Sequence, residues 1–123
     1  MSKRVLLVDD SQTALLMEQM VLSSQTQYQL FTARNGEEAV DAALAHLPDL
    51  ILMDVVMPGM NGFEACREIR QKPQVRHIPI ILVTTRGEQE CVEQGFVSGC
   101  NDYITKPVNG HELVLLLKNY LGE

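Results

Sequence analysis

Two acidic residues, Asp9 and Asp10, close one apolar run, VLLV, and a lone acid, Asp54, closes another, LILM. Tips of neighbouring parallel strands would bring these three carboxylates within a few ångströms. Like charges at 4 Å repel by about 4 kcal/mol at an effective dielectric of 20. An ionised cluster of this kind needs a cation. A hard divalent ion such as Mg2+ is one candidate, because carboxylate oxygens are its usual ligands. A lysine is the other, and Lys106 stands at the end of a later strand-like run, DYIT.

Positioning these groups takes an alternation of strands and helices. Residues 4–8 form a continuous apolar run, as in a strand covered on both faces. Ser11 is placed to cap a helix over roughly 12–24, with Leu15, Leu16, Met20 and Val21 at a helical period. Tyr28 to Ala33 alternates more and reads as a strand nearer an edge. Asn35-Gly36 marks a turn, and 37–46 a helix with Ala39, Val40, Ala43 and Leu47 on one face, broken by Pro48. Leu50 to Met53 is the third strand, followed by a loop, MPGMNG. Residues 63–71 form a helix with Phe63, Cys66 and Ile69 inward. Ile80 to Thr84 is the fourth strand. A fourth helix spans roughly 88–98 and carries Gly95, which weakens a helix interior by about 1 kcal/mol. Gly99 suits its C-cap. Residues 101–105 make the fifth strand, and 110–121 a closing helix with Leu113, Leu116, Leu117 and Tyr120 inward.

Five βα units without linker or repeat describe an α/β domain spanning residues 1–123, a parallel sheet with helices on both faces. Ligands of such sheets bind at the carboxyl ends of the strands. Asp9, Asp10, Asp54, Thr84 and Lys106 all fall there. Any one of them alone would pass for a loop acid, a helix cap or a strand-end threonine.

Composition narrows the partners. The 123 residues carry a net charge of −6 with no basic run, which argues against nucleic acid, whose phosphates are bound by Lys/Arg stripes. No apolar run approaches the ~20 residues of a membrane span. The N-terminal four residues lead directly into a strand and leave no room for a signal peptide. Three cysteines, Cys66, Cys91 and Cys100, lack metal-site spacing. They read as small packing residues in a reducing cytoplasm.

The stretches VLLVDDS (5–11), DLILMDVVMPGMNG (49–62), ILVTT (81–85) and NDYITKP (101–107) together resemble the receiver domain of two-component response regulators, in particular single-domain chemotaxis receivers. Thirty residues separate Asp54 from Thr84, and twenty-two separate Thr84 from Lys106, as in that family. The resemblance implies a flavodoxin-like (βα)5 fold with strand order 2-1-3-4-5. It implies that Asp54 accepts a phosphoryl group from a histidine kinase or phosphotransfer protein. Asp10, Asp54 and the Val56 carbonyl would ligate Mg2+, with Asp9 joining through water. Lys106 and Thr84 would hold phosphoryl oxygens, and Tyr103 would turn inward as Thr84 moves. The surface of helix 4, strand 5 and helix 5 would then engage a downstream protein. The Lys106–Pro107 bond is cis in the family.

Such a domain is a switch that catalyses its own phosphorylation and dephosphorylation, rather than an enzyme acting on a metabolite. It would be a cytoplasmic monomer or a weak phospho-dependent dimer, bound to neither membrane nor nucleic acid. Thr85, where alanine or glycine is frequent, would crowd the attacking water and slow dephosphorylation. Three other readings compete. A haloacid-dehalogenase-type enzyme wants an acid where Val56 stands. A flavin-binding protein would find Asp9-Asp10 repelling its phosphate. A receiver-like module that signals without phosphate usually lacks one of the acids or the lysine.

Overall fold

The computed structural model describes residues 2–85 and 96–122. Strands β1 (Arg4–Val8), β2 (Gln29–Ala33), β3 (Leu50–Asp54), β4 (Ile80–Thr85) and β5 (Asp102–Lys106) form one parallel sheet in the order β2-β1-β3-β4-β5. The helices described in full are α1 (Gln12–Gln25), α2 (Gly36–His46), α3 (Gly62–Arg70) and a closing helix (Gly110–Leu121). Of the expected fourth helix, residues 96–98 are helical; the remainder, with Arg86, Gly95, Cys91 and its row of glutamates, lies outside the described residues.

The period-2 geometry of the strands builds two cores. Leu6, Val8, Ile51, Met53, Ile80 and Leu82 face α2 and α3, where Ala39, Ala43, Cys66 and Ile69 close the layer. Val5, Leu7, Leu50, Leu52, Ile81 and Val83 face the other way, onto Leu15 and Leu22 of α1 and Leu113 and Leu117 of the closing helix. All five residues of β3 are buried. That is why its sequence is an unbroken apolar run up to the terminal acid.

Each of the four helices starts on a side-chain cap. Ser11, Asn35, Asn61 and Asn109 each accept a hydrogen bond from the backbone N–H three residues on, satisfying a donor the helix leaves open. Asn61 and Glu64 form a reciprocal capping box. The three Asn-Gly pairs of the chain are therefore helix starts. Their glycines permit close packing: a Cβ on Gly62 would lie 2.5 Å from the Asp54 carbonyl oxygen, and one on Gly36 2.5 Å from that of Met60.

Several sequence expectations shift. β3 continues through Asp54 and β5 begins at Asp102, so the acid and Lys106 belong to the strands themselves. In α1, Leu16 and Met20 point to solvent, and the inward stripe is Leu15, Glu18 and Leu22. The helix is apolar almost all round, so its period does not select a face. Leu47 is also exposed, because it leaves α2 in the left-handed conformation (φ 49°) rather than continuing the apolar stripe. Tyr120 is half-buried, packing on the core while its hydroxyl donates to the Asn101 carbonyl and to Asp102 Oδ2, each at 3.2 Å. Cys66 and Cys100 are buried free thiols, and burial pushes the Cys66 thiol up to about 11.

Candidate functional site

The register of the sheet assembles the rim. Val8 pairs with Met53, Asp54 with Val83, and Thr84 with Thr105. Asp9, one residue beyond β1, thus stands beside the end of β3, with β4 and β5 completing the row. Asp9 is held by its own N–H donating to the Ala33 carbonyl (3.1 Å) and by Ser11 N–H donating to Asp9 Oδ1 (2.9 Å). Gly62 N–H donates to the Val55 carbonyl at 2.9 Å, docking α3 onto the end of β3.

Lys106 Nζ donates to Asp54 Oδ2 at 3.0 Å and lies 3.7 Å from Asp9 Oδ2. Asp9 and Asp54 are 1% and 5% exposed, whereas Asp10 is open to solvent. One oxygen from each of the three acids falls within 4.8 Å of the others. Oxygens on opposite sides of a Mg2+ ion lie about 4 Å apart at the usual bond length. These hard oxygen donors fit such an ion. Asp9 Oδ2 is buried and accepts no hydrogen bond among the described residues, with Lys106 Nζ 3.7 Å away.

Two nearly buried acids share one lysine, and the charges show it. Burial raises the Asp54 pKa; the Lys106 hydrogen bond opposes this, Asp9 adds to it, and the net direction is up. Burial alone would lower the Lys106 pKa, but Asp54, then Asp9 and Glu18, outweigh it and raise it. The lysine is over-compensated and the aspartate under-compensated, as expected of a pocket short of one positive charge.

Thr84 is 3% exposed, and its Oγ1 has no hydrogen-bond partner among the described residues. A buried hydroxyl without a partner is costly. Tyr103 is 38% exposed and meets Phe96 edge-on, with ring centroids 6.3 Å apart. The Val56 side chain is exposed to solvent. The Lys106–Pro107 peptide bond is cis. The side chain of Thr85 lies outside the described residues.

Sequence reasoning missed Glu18. It is 7% exposed on the inner stripe of α1, and its pKa is pushed up to about 8, first by burial and then by the charge of Asp9. The available signal was an acid at i+3 from Leu15 and i−4 from Leu22, where the helix period calls for an apolar residue. Arg70 was missed as well. Its guanidinium donates to the carbonyls of Gly99, Arg76 and Ile78 and to Asn101 Oδ1, tying the loops at the far end of β4.

A doubly wound parallel sheet with an acidic, lysine-bearing carboxyl rim defines a class of α/β protein whose strand ends could hold a cation. Within it, the chain belongs to the response regulator receiver domains, whose family model matches residues 5–118. It is 36% identical to the polar-differentiation response regulator DivK of Brucella anthropi over 126 residues, covering 100% of this chain and 99% of that protein. It is 40% identical to the response regulator PleD of Caulobacter vibrioides over 109 residues, 89% of this chain but 24% of PleD. The chain thus spans about a quarter of that relative's length. The receiver domain of the sensor histidine kinase PA1611 from Pseudomonas aeruginosa superimposes with a TM-score of 0.90 at 32% identity, covering 100% of both chains. That structure has a magnesium ion coordinated in its active-site cleft.

Receiver domains act as signalling switches in two-component systems, with kinases or phosphotransfer proteins as their partners, and bind Mg2+ in their active site. No helix among the described residues is long and apolar enough to cross a membrane.

Proposed function

We propose that Asp54 is the phosphoacceptor of a phosphorelay, taking its phosphoryl group from a phosphohistidine on a kinase or phosphotransfer protein. The observation that carries this reading is the 3.0 Å pair of Asp54 and Lys106 beside two further acids. An Asp54 oxygen attacks phosphorus in line, the P–O bond forms as the P–N bond breaks, and the electron pair leaves on the imidazole nitrogen. Phosphoryl transfer depends chiefly on positioning and charge neutralisation. Lys106 is already within bonding distance of the attacking carboxylate, so its ammonium can pass to a phosphoryl oxygen. The unpartnered Thr84 hydroxyl donates to a second. Asp10, Asp54 and the Val56 carbonyl would hold Mg2+, with Asp9 through water. The ion supplies charge neutralisation for the phosphoryl oxygens.

Recruitment of Thr84 would let Tyr103 turn inward, altering a surface where Phe96 and Val97 are exposed. A downstream protein reads that change, an example of a local charge event biasing a two-state element. The domain works in the cytoplasm as a monomer or weak phospho-dependent dimer, without nucleic acid or membrane.

Incubation with Mg2+ and acetyl phosphate, followed by intact mass and amide NMR, tests this. The expected result is a metal-dependent gain of one phosphoryl group, absent in Asp54→Asn, with shifts at Thr84, Tyr103 and Lys106. No adduct would favour a phosphate-independent binding module; an undiminished adduct in Asp54→Asn would move the acceptor elsewhere.

A further inference from the structure

The sheet face covered by α1 and the closing helix holds a cavity of about 500 Å3. Met17, Glu18 and Val21 of α1 form one wall, and Pro107, Val108 and Leu113 line the other. Cavities of roughly 300–1,000 Å3 with apolar walls and a few polar groups suit small organic ligands. The polar group here is unusual. Glu18 is nine-tenths buried, yet no hydrogen bond or ion pair reaches its carboxyl among the described residues. Lys106 also borders the cavity, but its ammonium is directed at Asp54 and Asp9, 3.0 and 3.7 Å away. Three nearly buried acids therefore share a single cation.

That imbalance selects the ligand. A carboxylate or phosphate would meet Glu18 with the negative charges of Asp9 and Asp54 behind it. A purely apolar molecule would bury Glu18 further and leave it unbonded, which is costly. A positively charged head both bonds the carboxyl and offsets the neighbouring acids. We propose that this cavity is a binding site for a small organic amine, with its ammonium hydrogen-bonded to Glu18 and its apolar body against Met17, Val21, Val108 and Leu113.

The cavity shares Lys106 with the rim, but the amine site does not rest on Asp54 being the phosphoacceptor. Its test uses the unphosphorylated protein without Mg2+, methyl-labelled and titrated at pH 9, where both Glu18 and the amine are charged, with hexylamine and with hexanol as the uncharged counterpart. Hexylamine is expected to give saturable shifts at the methyls of Met17, Val21, Val108 and Leu113, with hexanol about tenfold weaker or less tightly bound still. In Glu18→Gln, hexylamine should fall to the level of hexanol, while hexanol binds as it does to the wild type and so reports an intact cavity. Equal binding of amine and alcohol by the wild type overturns the proposal, as does absence of saturable shifts. Full amine affinity in Glu18→Gln overturns it too. Should that variant not fold, the amine–alcohol comparison in the wild type decides alone.

Discussion

The two faces of the sheet are built from the same β-strands but sealed differently. On one, small residues of α2 and α3, Ala39, Ala43, Ala65 and Cys66, let the helices settle onto Ile51 and Met53. On the other, α1 and the closing helix meet around a cavity and a nearly buried glutamate. The closed face holds the strand ends in register. The open face carries a nearly buried carboxyl close to the rim, its pKa raised by burial and by the charge of Asp9. Stability and sensitivity are therefore segregated by layer, although both layers press on the same five strands.

Substitutions on each face should separate the two roles. Ile69, fully buried in the closed face, should cost about 2–5 kcal/mol when replaced by alanine. Urea unfolding would show it, and a loss below 1 kcal/mol would mean that this face is looser than its packing implies.

On the open face the sign reverses and depends on pH. Glu18 moves from 4.5 in the unfolded chain to about 8 in the fold, so the folded state binds the proton more tightly. Its effect is least unfavourable below 4.5, worsens as pH rises, and levels off above 8. Glu18→Gln should therefore nearly match the wild type near pH 4.5 and exceed it by about 4 kcal/mol near pH 8. Parallel unfolding curves for the two proteins across that range would contradict the burial of an unpaired acid.

The smallest expected effect lies where the faces meet. Lys106→Met leaves Asp9 and Asp54 without their cation. A fully buried pair broken this way costs roughly 3–5 kcal/mol, but Lys106 is partly open to water, so about 1–2 kcal/mol is expected at pH 7. The loss should shrink on acidification as Asp54, its pKa raised by burial, protonates. A pH-independent loss would assign Lys106 a packing role instead.

Much of this was legible in the sequence because the chemistry sits where patterns change abruptly. Asp9, Asp54 and Lys106 each follow a β-strand's apolar run, and the strand-end rule placed them on one rim before any distance was known. The orientation of α1 was not legible. Ala14, Leu15, Leu16, Met17, Met20, Val21 and Leu22 surround that helix with apolar side chains, so periodicity alone allowed Leu16 and Met20 to point inward. Contact with β1 and the closing helix chose the other face, and with it brought Glu18 inside. The Asn-Gly pairs carried a second ambiguity. Asn35-Gly36 reads equally as a turn or as a helix cap with a close-packing glycine, and only the approach of the Met60 carbonyl to Gly36 distinguishes them.

The Asp54–Lys106 pair spans 52 positions of the chain, and this has a consequence for synthesis. A nascent chain that has emerged through β3 already carries Asp9 and Asp54, but not the lysine that balances them. Domains fold as units, and synthesis delivers the N-terminal strands first. Here the early strands could pair on the ribosome only with their acids protonated, separated or screened by a borrowed cation. Emergence of β5 is thus the step that makes the native charge arrangement self-sufficient, and a stalled chain lacking it should remain open to proteases.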